Sequence, residues 1–202
     1  MLTALTPPVK AAPEYRTTWL ANVTIHTAGG LLTSAMVGLA LAAAGRLSGE
    51  TLDRPVIASA CLLLAMVVAA RELGVVRLPL LQARRASKGA WGRRFGQPRA
   101  SLLWGLDIGL FFTTWLTYAG AWWLAAVAAL GVGVGWSAGL FVAYWLGRTI
   151  PVWLGPWLVP NATVSAWIET ALAPLRRSFR AIHSVTVLLG GVVILLAALP
   201  SL

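Results

Sequence analysis

The sequence predicts an all-α integral membrane protein, a bundle of about five transmembrane helices. Three observations predict this fold class. Hydrophobic residues make up 58% of the 202-residue chain and charged residues only 11%, less than half of the roughly 25% usual in a soluble domain. Several uncharged stretches reach about twenty residues, the length that an α-helix needs to cross the hydrocarbon core. Little sequence remains for a soluble part, so residues 1–202 are treated as a single transmembrane domain.

The predicted spans follow one another along the chain. The first covers about 25–45, and the second covers 55–76 and opens with Pro55, a residue favoured in the first helical turn. The third, at 100–130, is too long for one perpendicular helix, so we expect it to be tilted or broken in the middle. The fourth covers 136–154 and the fifth 181–199.

The segments outside the spans have distinct compositions. Residues 1–24 contain three prolines and carry basic and acidic side chains, which predicts a cytoplasmic arm, and we expect no cleavable signal peptide. Residues 77–99 form a basic cytoplasmic loop. Residues 155–180 combine tryptophans, apolar residues and prolines with a basic end, a composition typical of an interfacial segment.

The basic residues predict the orientation. Residues 71–99 hold eight of the sixteen basic residues against one acid, Glu72, and cytoplasmic loops are the ones enriched in Lys and Arg. Five spans with the N-terminus inside place fourteen of the sixteen on the cytoplasmic side, whereas a sixth span would move four of them outside. We therefore expect a multi-pass protein of the plasma membrane, with a cytoplasmic N-terminus and the C-terminus outside.

The formal net charge of +10 indicates lipid contact and not nucleic-acid binding. The basic loop lacks the interleaved aromatic and glycine residues of a nucleic-acid groove. Its arginines are placed to touch anionic lipid head groups at the bilayer surface. The partners predicted here are therefore the lipid bilayer, anionic lipids at the loop and other membrane subunits, with no nucleic acid.

Several kinds of functional site are excluded because the chain lacks the residues that they require. Cys61 is the one cysteine, so no intrachain disulfide or CxxC redox pair can form. Lys10 and Lys88 are the two lysines and both lie outside the apolar stretches, which excludes a retinal Schiff base. No catalytic constellation is present, so we expect a non-catalytic protein without a cofactor. The two histidines, His26 and His183, leave one alternative open, since histidines at matching depth can ligate a b-type haem or a chlorophyll-like pigment.

Asp107 is the acid that lies deepest in an apolar span. A carboxylate at such a depth is costly unless it is paired, protonated or hydrated. Arg148 on the fourth span is predicted at a similar depth, about 10 Å from the cytoplasmic end at 1.5 Å per residue. Three interpretations stay open: a structural ion pair with Arg148, a substrate or proton site, and a snorkelling or partner contact. Arg71 and Glu72 are candidates to join the same cluster.

Hydroxyl side chains gather in the middle of the third span, at Thr113, Thr114, Thr117 and Tyr118. Threonine hydroxyls commonly bond back to their own helix and bend it. The alternative is a polar lining of a cavity. Without a neighbouring base these hydroxyls are not nucleophiles.

Small residues and tryptophans indicate how the helices pack. Small residues recur at four-residue steps, at Gly105 and Gly109 in the third span and at Gly131, Gly135, Gly139, Ala143 and Gly147 in or before the fourth. Such rows let helix backbones touch. Most of the eleven tryptophans fall near the predicted head groups, as in an aromatic belt, whereas Trp115, Trp122 and Trp123 lie within the third span.

The order of these features resembles one family. The stretch RASLLWGLDIGLFFTTWLTYAGAWWLAAVAALG, followed by SAGLFVAYWLGRTIPVWLGPWL, is similar to the second half of the cytochrome c biogenesis transmembrane proteins, the CcdA and DsbD group. Tyr144, Gly147 and Pro151 match a Y-x-x-G-x-x-x-P-type helix of that family. The resemblance covers about 25–200 and implies the family's scaffold with its broken helix.

The departures from the family concern its redox residues. Those proteins carry electrons through two cysteines on broken helices, but the second cysteine position falls within 114–118, where this chain has none. The span that would carry the first cysteine is missing, which accounts for five spans in place of six. Cys61 matches neither position, so the thiol relay does not carry over.

Three hypotheses about function follow. The first is a non-catalytic member of this scaffold that serves as a structural or assembly subunit of a larger membrane complex, bound through its tryptophan-rich surface. The second is a small-solute transporter or exporter that uses Asp107 and the hydroxyl-lined broken helix. The third is thiol chemistry between Cys61 and a partner protein.

Overall fold

The computed structural model describes residues 13–47, 53–80, 82–83, 90–113, 116, 118–130, 133–158 and 175–199. Every regular element within these residues is an α-helix. In chain order the helices are α1 Pro13–Leu47, α2 Arg54–Glu72, α3 Ala90–Phe95, α4 Gln97–Gly109, α5 Gly120–Leu130, α6 Val134–Leu158 and α7 Arg176–Ala198. The predicted all-α class is therefore confirmed for this part of the chain.

Three helices are long and apolar enough to cross a membrane: Thr17–Leu47 within α1, all of α2, and Arg177–Ala198 within α7. The predicted count of about five spans is not confirmed. The 13 residues of α4 and the 11 of α5 reach only about 20 and 17 Å at 1.5 Å per residue, less than a hydrocarbon core of about 30 Å. Helix α6 has sufficient length with 25 residues but is not among these three candidate spans.

The helix ends follow local sequence signals. Helix α1 begins at Pro13, well before the predicted start near residue 25, since Pro fits the first helical turn and the next glycine is Gly29. Helix α2 opens with Pro55 in its first turn, as predicted, but ends at Glu72 and not near 76. Gly74 follows with a φ of 83°, a left-handed conformation that commonly terminates a helix.

The third stretch is broken, which is one of the two outcomes that its length predicts. Helix α4 ends at Gly109 and α5 begins at Gly120. Phe111 in the connection adopts a φ of 41°, which a helix cannot continue through. Helix α6 runs through Pro151 to Leu158, so it extends beyond the predicted end at 154. Most of the predicted interfacial segment, residues 159–174, lies outside the described residues, as do residues 1–12 of the predicted arm.

The chain divides into two compact units. Unit 1 comprises Met1–Ser34, Gln82–Trp115 and Val142–Leu175, and unit 2 comprises Ala35–Leu81, Leu116–Phe141 and Arg176–Leu202. Unit 1 thus contains α3, α4 and parts of α1 and α6. Its apolar core consists of Trp19, Val23, Ala100, Trp104 and Val152, with Trp91 and Trp153 packed against it.

Within unit 1, α1 and α4 run parallel and in register. Nδ1 of His26 lies 3.3 Å from the carbonyl oxygen of Ser101, and the Ser34 hydroxyl donates to the carbonyl of Gly109 at 3.1 Å. Both contacts join residues that are 75 positions apart. A Cβ atom on Gly105 would collide with the His26 carbonyl, so glycine is required at this helix crossing.

Unit 2 contains α2, α5, α7 and the remaining parts of α1 and α6. Its core includes Ala65, Val68, Ala119 and Val187, and Trp123 packs against them. The indole of Trp123 lies against Gly190 of α7, where a Cβ would meet the ring. Helices α2, α5 and α7 therefore pack as one group within this unit.

Candidate functional sites

The first polar cluster lies on the face of α1 that belongs to unit 1. Asn22, His26 and Ser34 are 8%, 2% and 1% exposed. Their spacing of four and eight residues places them on one side of the helix. His26 and Ser34 contact α4 through the carbonyls of Ser101 and Gly109, so this polar face is turned to α4 and away from the surroundings.

Tryptophans of α6 close this cluster on a second side. The Trp145 indole donates to the carbonyl of Thr27 at 2.9 Å, and the Trp153 indole donates to the Thr27 hydroxyl at 3.1 Å. The ring centroids of Trp145 and His26 are 5.3 Å apart. Trp153 meets Trp19 edge-on at 6.3 Å. These indoles join α6 to α1 inside unit 1.

This packing differs from the tryptophan-rich surface that the sequence predicts. Trp19 and Trp104 are buried, and Trp91 and Trp153 are partly buried against the same core. The physical reason is that each indole has a large apolar area, which packs here against other apolar side chains. Among the described tryptophans, Trp136 stands out with 76% exposure. Trp115 and Trp167 lie outside the described residues.

Asp107 and Arg148 both belong to unit 1. Asp107 lies in the last turn of α4 and is 8% exposed. The contacts recorded for Arg148 are with Tyr144: Nη1 lies 3.4 Å from the phenolic oxygen, and the guanidinium lies 5.7 Å from the ring centroid. The Asp107–Arg148 pair stays a prediction.

Of the predicted hydroxyl residues, Thr113 and Tyr118 are described, whereas Thr114 and Thr117 lie outside the described residues. The Thr113 hydroxyl donates to the carbonyl of Asp107. Carbonyls at the end of a helix lack an intrahelical donor, so this bond closes α4 where the break begins. Thr113 therefore lies after the end of α4 and bonds back to the last turn of that helix. The roles predicted for the hydroxyl group as a whole, a bend or a cavity lining, stay predictions.

The second polar cluster lies in unit 2 at the start of α5. Oε1 of Glu72 accepts the backbone N–H of Ala119 at 2.8 Å and Nη1 of Arg71 at 2.6 Å. Glu72 is 4% exposed. Nε of Arg71 also donates to the carbonyl of Leu78 at 2.9 Å. Arg71 and Glu72 thus hold the first turn of α5, in a different unit from Asp107 and Arg148.

His183 of α7 holds the next amide of the same turn. Its Nε2 accepts the backbone N–H of Gly120 at 3.2 Å, and its ring stacks on Tyr118 with centroids 5.0 Å apart. A Cβ on Gly120 would collide with the imidazole, so glycine admits the histidine here. Because an N–H can only donate, Nε2 must be unprotonated in this contact.

The remaining predicted sites have defined surroundings. Cys61 is 2% exposed, and its carbonyl accepts the indole N–H of Trp123 at 3.0 Å. His26 and His183 belong to different units, and each ring already contacts the backbone. Within the described residues no group of three His, Cys, Asp or Glu side chains is placed to hold a metal ion. Ligation of a haem or pigment stays a prediction.

The two rows of small residues have different surroundings. Gly105 and Gly109 are pressed against α1, where a Cβ would collide with His26 and with Thr33. For Gly135, Gly139 and Gly147 of α6, an added Cβ would meet no atom of the described residues within 4 Å, and Gly131 lies outside the described residues. The row on α4 therefore packs against α1, whereas no described residue packs closely against these three glycines of α6.

No family model, curated protein or solved structure matches the chain. The resemblance to the CcdA and DsbD group accordingly rests on the sequence pattern alone. The polar contacts add residues that the sequence did not single out, namely Asn22, Ser101 and Thr27. A signal existed for Asn22, because it lies four residues before His26 and so on the same face of a helix.

Proposed function

We propose that the protein is a non-catalytic, multi-pass membrane subunit that joins a larger membrane complex through the small-residue face of α6. This face consists of Gly135, Gly139, Ala143 and Gly147. The observation that carries the proposal is its exposure: all four residues are exposed, and the three glycines have open space at their Cβ positions. In the same chain, an equivalent row on α4 is used for close helix packing.

The physical argument concerns helix association in lipid. Helices in a bilayer gain nothing from hiding apolar surface from lipid, so they associate by close backbone contact at small residues. A glycine row that faces lipid gives no packing, whereas the same row against a partner helix gives close contact along about three turns. The partner class is therefore another transmembrane helix.

The proposal includes the scaffold and its orientation. We infer a scaffold like that of the CcdA and DsbD group, with its broken helix but without cysteines at 114–118. The location is the plasma membrane, with the N-terminus in the cytoplasm and the C-terminus outside. The basic loop supports this orientation through its eight basic residues, which also suit anionic lipid head groups.

The test is purification from native membranes in a mild detergent, followed by mass spectrometry of the proteins that co-migrate and an absorption spectrum. We expect a stoichiometric membrane partner for the wild-type chain. Gly139→Leu places a branched side chain on the face and is expected to reduce recovery of the partner at least about tenfold, the effect of about 1.4 kcal/mol.

Ala60→Leu is the matched control, because Ala60 is an exposed small residue on the transmembrane helix α2. It adds the same side chain away from α6 and should leave the partner bound. A chain that purifies alone, colourless and folded contradicts the subunit proposal. Equal loss in both variants contradicts the assignment to α6.

Buried Asp107 supports a second candidate function, transport of a small solute. It ends a half-helix that stops inside the chain's apolar part, an arrangement found at transporter binding sites. Asp107→Asn should then abolish solute flux in reconstituted vesicles while the amount of folded protein is unchanged. If Asp107 is a structural partner of Arg148, the Asn variant instead loses stability, and a compensating change at Arg148 restores it.

A further inference from the structure

We propose that unit 1 contains a buried binding site for one small, uncharged, hydrogen-bonding molecule between α1 and the first turns of α4. The molecule is water or a solute of similar size. Three polar side-chain atoms define the site: Nε1 of Trp19, Oδ1 of Asn22 and Oγ of Ser101. None of the three has a hydrogen-bond partner among the described residues.

The three side chains are deeply buried. Trp19 and Asn22 are each 8% exposed, and Ser101 is 0% exposed. Buried polar groups in proteins nearly always have a partner, because an unmet donor or acceptor costs free energy. Three such groups on neighbouring turns of packed helices therefore indicate a shared partner.

The contacts of neighbouring residues bring the three residues to the same part of the α1–α4 interface. Trp19 packs in one cluster with Ala100, the residue before Ser101. His26, one turn after Asn22, contacts the carbonyl of Ser101 at 3.3 Å. Trp19, Asn22 and His26 lie three and four residues apart and so share one face of α1.

The chemistry of the atoms selects the ligand. The indole N–H can only donate, the amide oxygen can only accept, and the serine hydroxyl can do either. One water molecule can accept from Trp19, donate to Asn22 and bond Ser101, and about three hydrogen bonds is the usual number for a buried water. An anion would be repelled by the amide oxygen and a cation by the indole N–H, so an uncharged molecule fits best.

The proposal is tested by comparing the Tm of variants with that of the wild type, because a bridging molecule and unpaired atoms predict changes of opposite sign. If the three atoms are simply unpaired, Asn22→Leu removes an unmet polar group at similar size and should raise the Tm. If a molecule bridges them, Asn22→Leu and Ser101→Ala should each lower the Tm. The double variant should then lose less than the sum of the two, because both changes break the same bridge.

Ser184→Ala is the matched control for this cycle. Ser184 is also buried, at 2% exposure, but its hydroxyl already donates to the carbonyl of Arg180 in unit 2. Its effect should add to that of Asn22→Leu. Additive losses for Ser101→Ala as well would contradict a shared bridging molecule.

Nuclear magnetic resonance of the wild-type chain in lipid nanodiscs tests the site directly, even if a variant fails to fold. With ¹⁵N-labelled tryptophan, Trp19→Phe identifies the Trp19 indole signal. We expect a cross-peak between this indole proton and water. The indoles of Trp123 and Trp145, which donate to the carbonyls of Cys61 and Thr27, should show none.

The two possible ligands give different results. A bound solute in place of water abolishes the water cross-peak. The solute is then released in stoichiometric amount when the protein is denatured and is detected by mass spectrometry. Either ligand supports the site. An indole without a water cross-peak, no released molecule and a raised Tm for Asn22→Leu together overturn the proposal.

Discussion

At the scale of single residues, the polar side chains of this apolar chain act mainly on backbone groups. The first turn of a helix has N–H groups without intrahelical acceptors. At the start of α5, the backbone N–H groups of Ala119 and Gly120 donate to side chains of other helices. The acceptors are Glu72 of α2 and His183 of α7. A half-helix can start inside the protein for this reason. His183 is thus placed as a helix-capping residue.

We expect His183→Leu to lower the free energy of unfolding by about 1–3 kcal/mol, because the Gly120 amide loses a buried acceptor. His183→Gln keeps an acceptor of similar reach and should restore most of that loss. The measurement is thermal unfolding of the purified protein in detergent or nanodiscs. Equal destabilisation by Leu and Gln would show that ring packing on Tyr118, and not the hydrogen bond, accounts for the effect.

Cys61 gives a second prediction at this scale. At 2% exposure among helices of unit 2, its thiol is sterically protected in the folded protein. We expect a maleimide to label Cys61 only after denaturation, and Cys61→Ser to leave the set of bound partners unchanged. A mixed disulfide with a partner on a non-reducing gel, lost in Cys61→Ser, would instead support the thiol hypothesis.

At the scale of helices, backbone proximity decides which glycines matter. Gly105 lies at the crossing of α4 with α1, and Gly147 lies on the open face of α6. An alanine in the middle of a helix is intrinsically favoured over glycine by roughly 1 kcal/mol. Only at Gly105 is that preference opposed by a collision with the His26 carbonyl.

Gly105→Ala should therefore lower the Tm, and Gly147→Ala should leave it unchanged or raise it slightly. Thermal unfolding of the two variants in the same detergent checks the prediction. Equal effects would contradict the close crossing of α1 and α4. Partner recovery with Gly147→Ala should remain near the wild-type level, because alanine is still a small residue.

The sequence predicted helices and breaks better than contacts. Excess length predicted the break between α4 and α5, and Pro55 predicted the start of α2, because both signals are local. Hydropathy predicted a span from about residue 25 but not the helix before it, since a helix continues through polar residues where no breaker stops it. The Glu72 contact joins residues 47 positions apart. No local pattern contains that information.

At the scale of the whole molecule, the number of spans is the open question with the clearest test. Three spans and five spans both place the termini on opposite sides of the membrane, so reporters at the termini do not distinguish them. The side on which the turn before α6 lies does distinguish the two span counts. With five spans it lies outside the cell, and with α1, α2 and α7 alone it lies inside.

Trp136→Cys in a Cys61→Ser background tests this position, because Trp136 is 76% exposed. We expect labelling by a membrane-impermeant maleimide added to intact cells, as the five-span topology requires. Labelling only after the membrane is permeabilised would support three spans. An N-terminal reporter confined to the cytoplasm and a C-terminal one outside are expected with either count.

The matched register of α1 and α4 bears on how charge is distributed across the bilayer. The two helices lie side by side and run in the same direction. In the five-span topology, which inserts α4 into the bilayer, the chain must then enter both helices from the same leaflet. That topology therefore requires the start of α1 and the arginine-rich approach to α4 to face one compartment, which is also what the count of basic residues predicts.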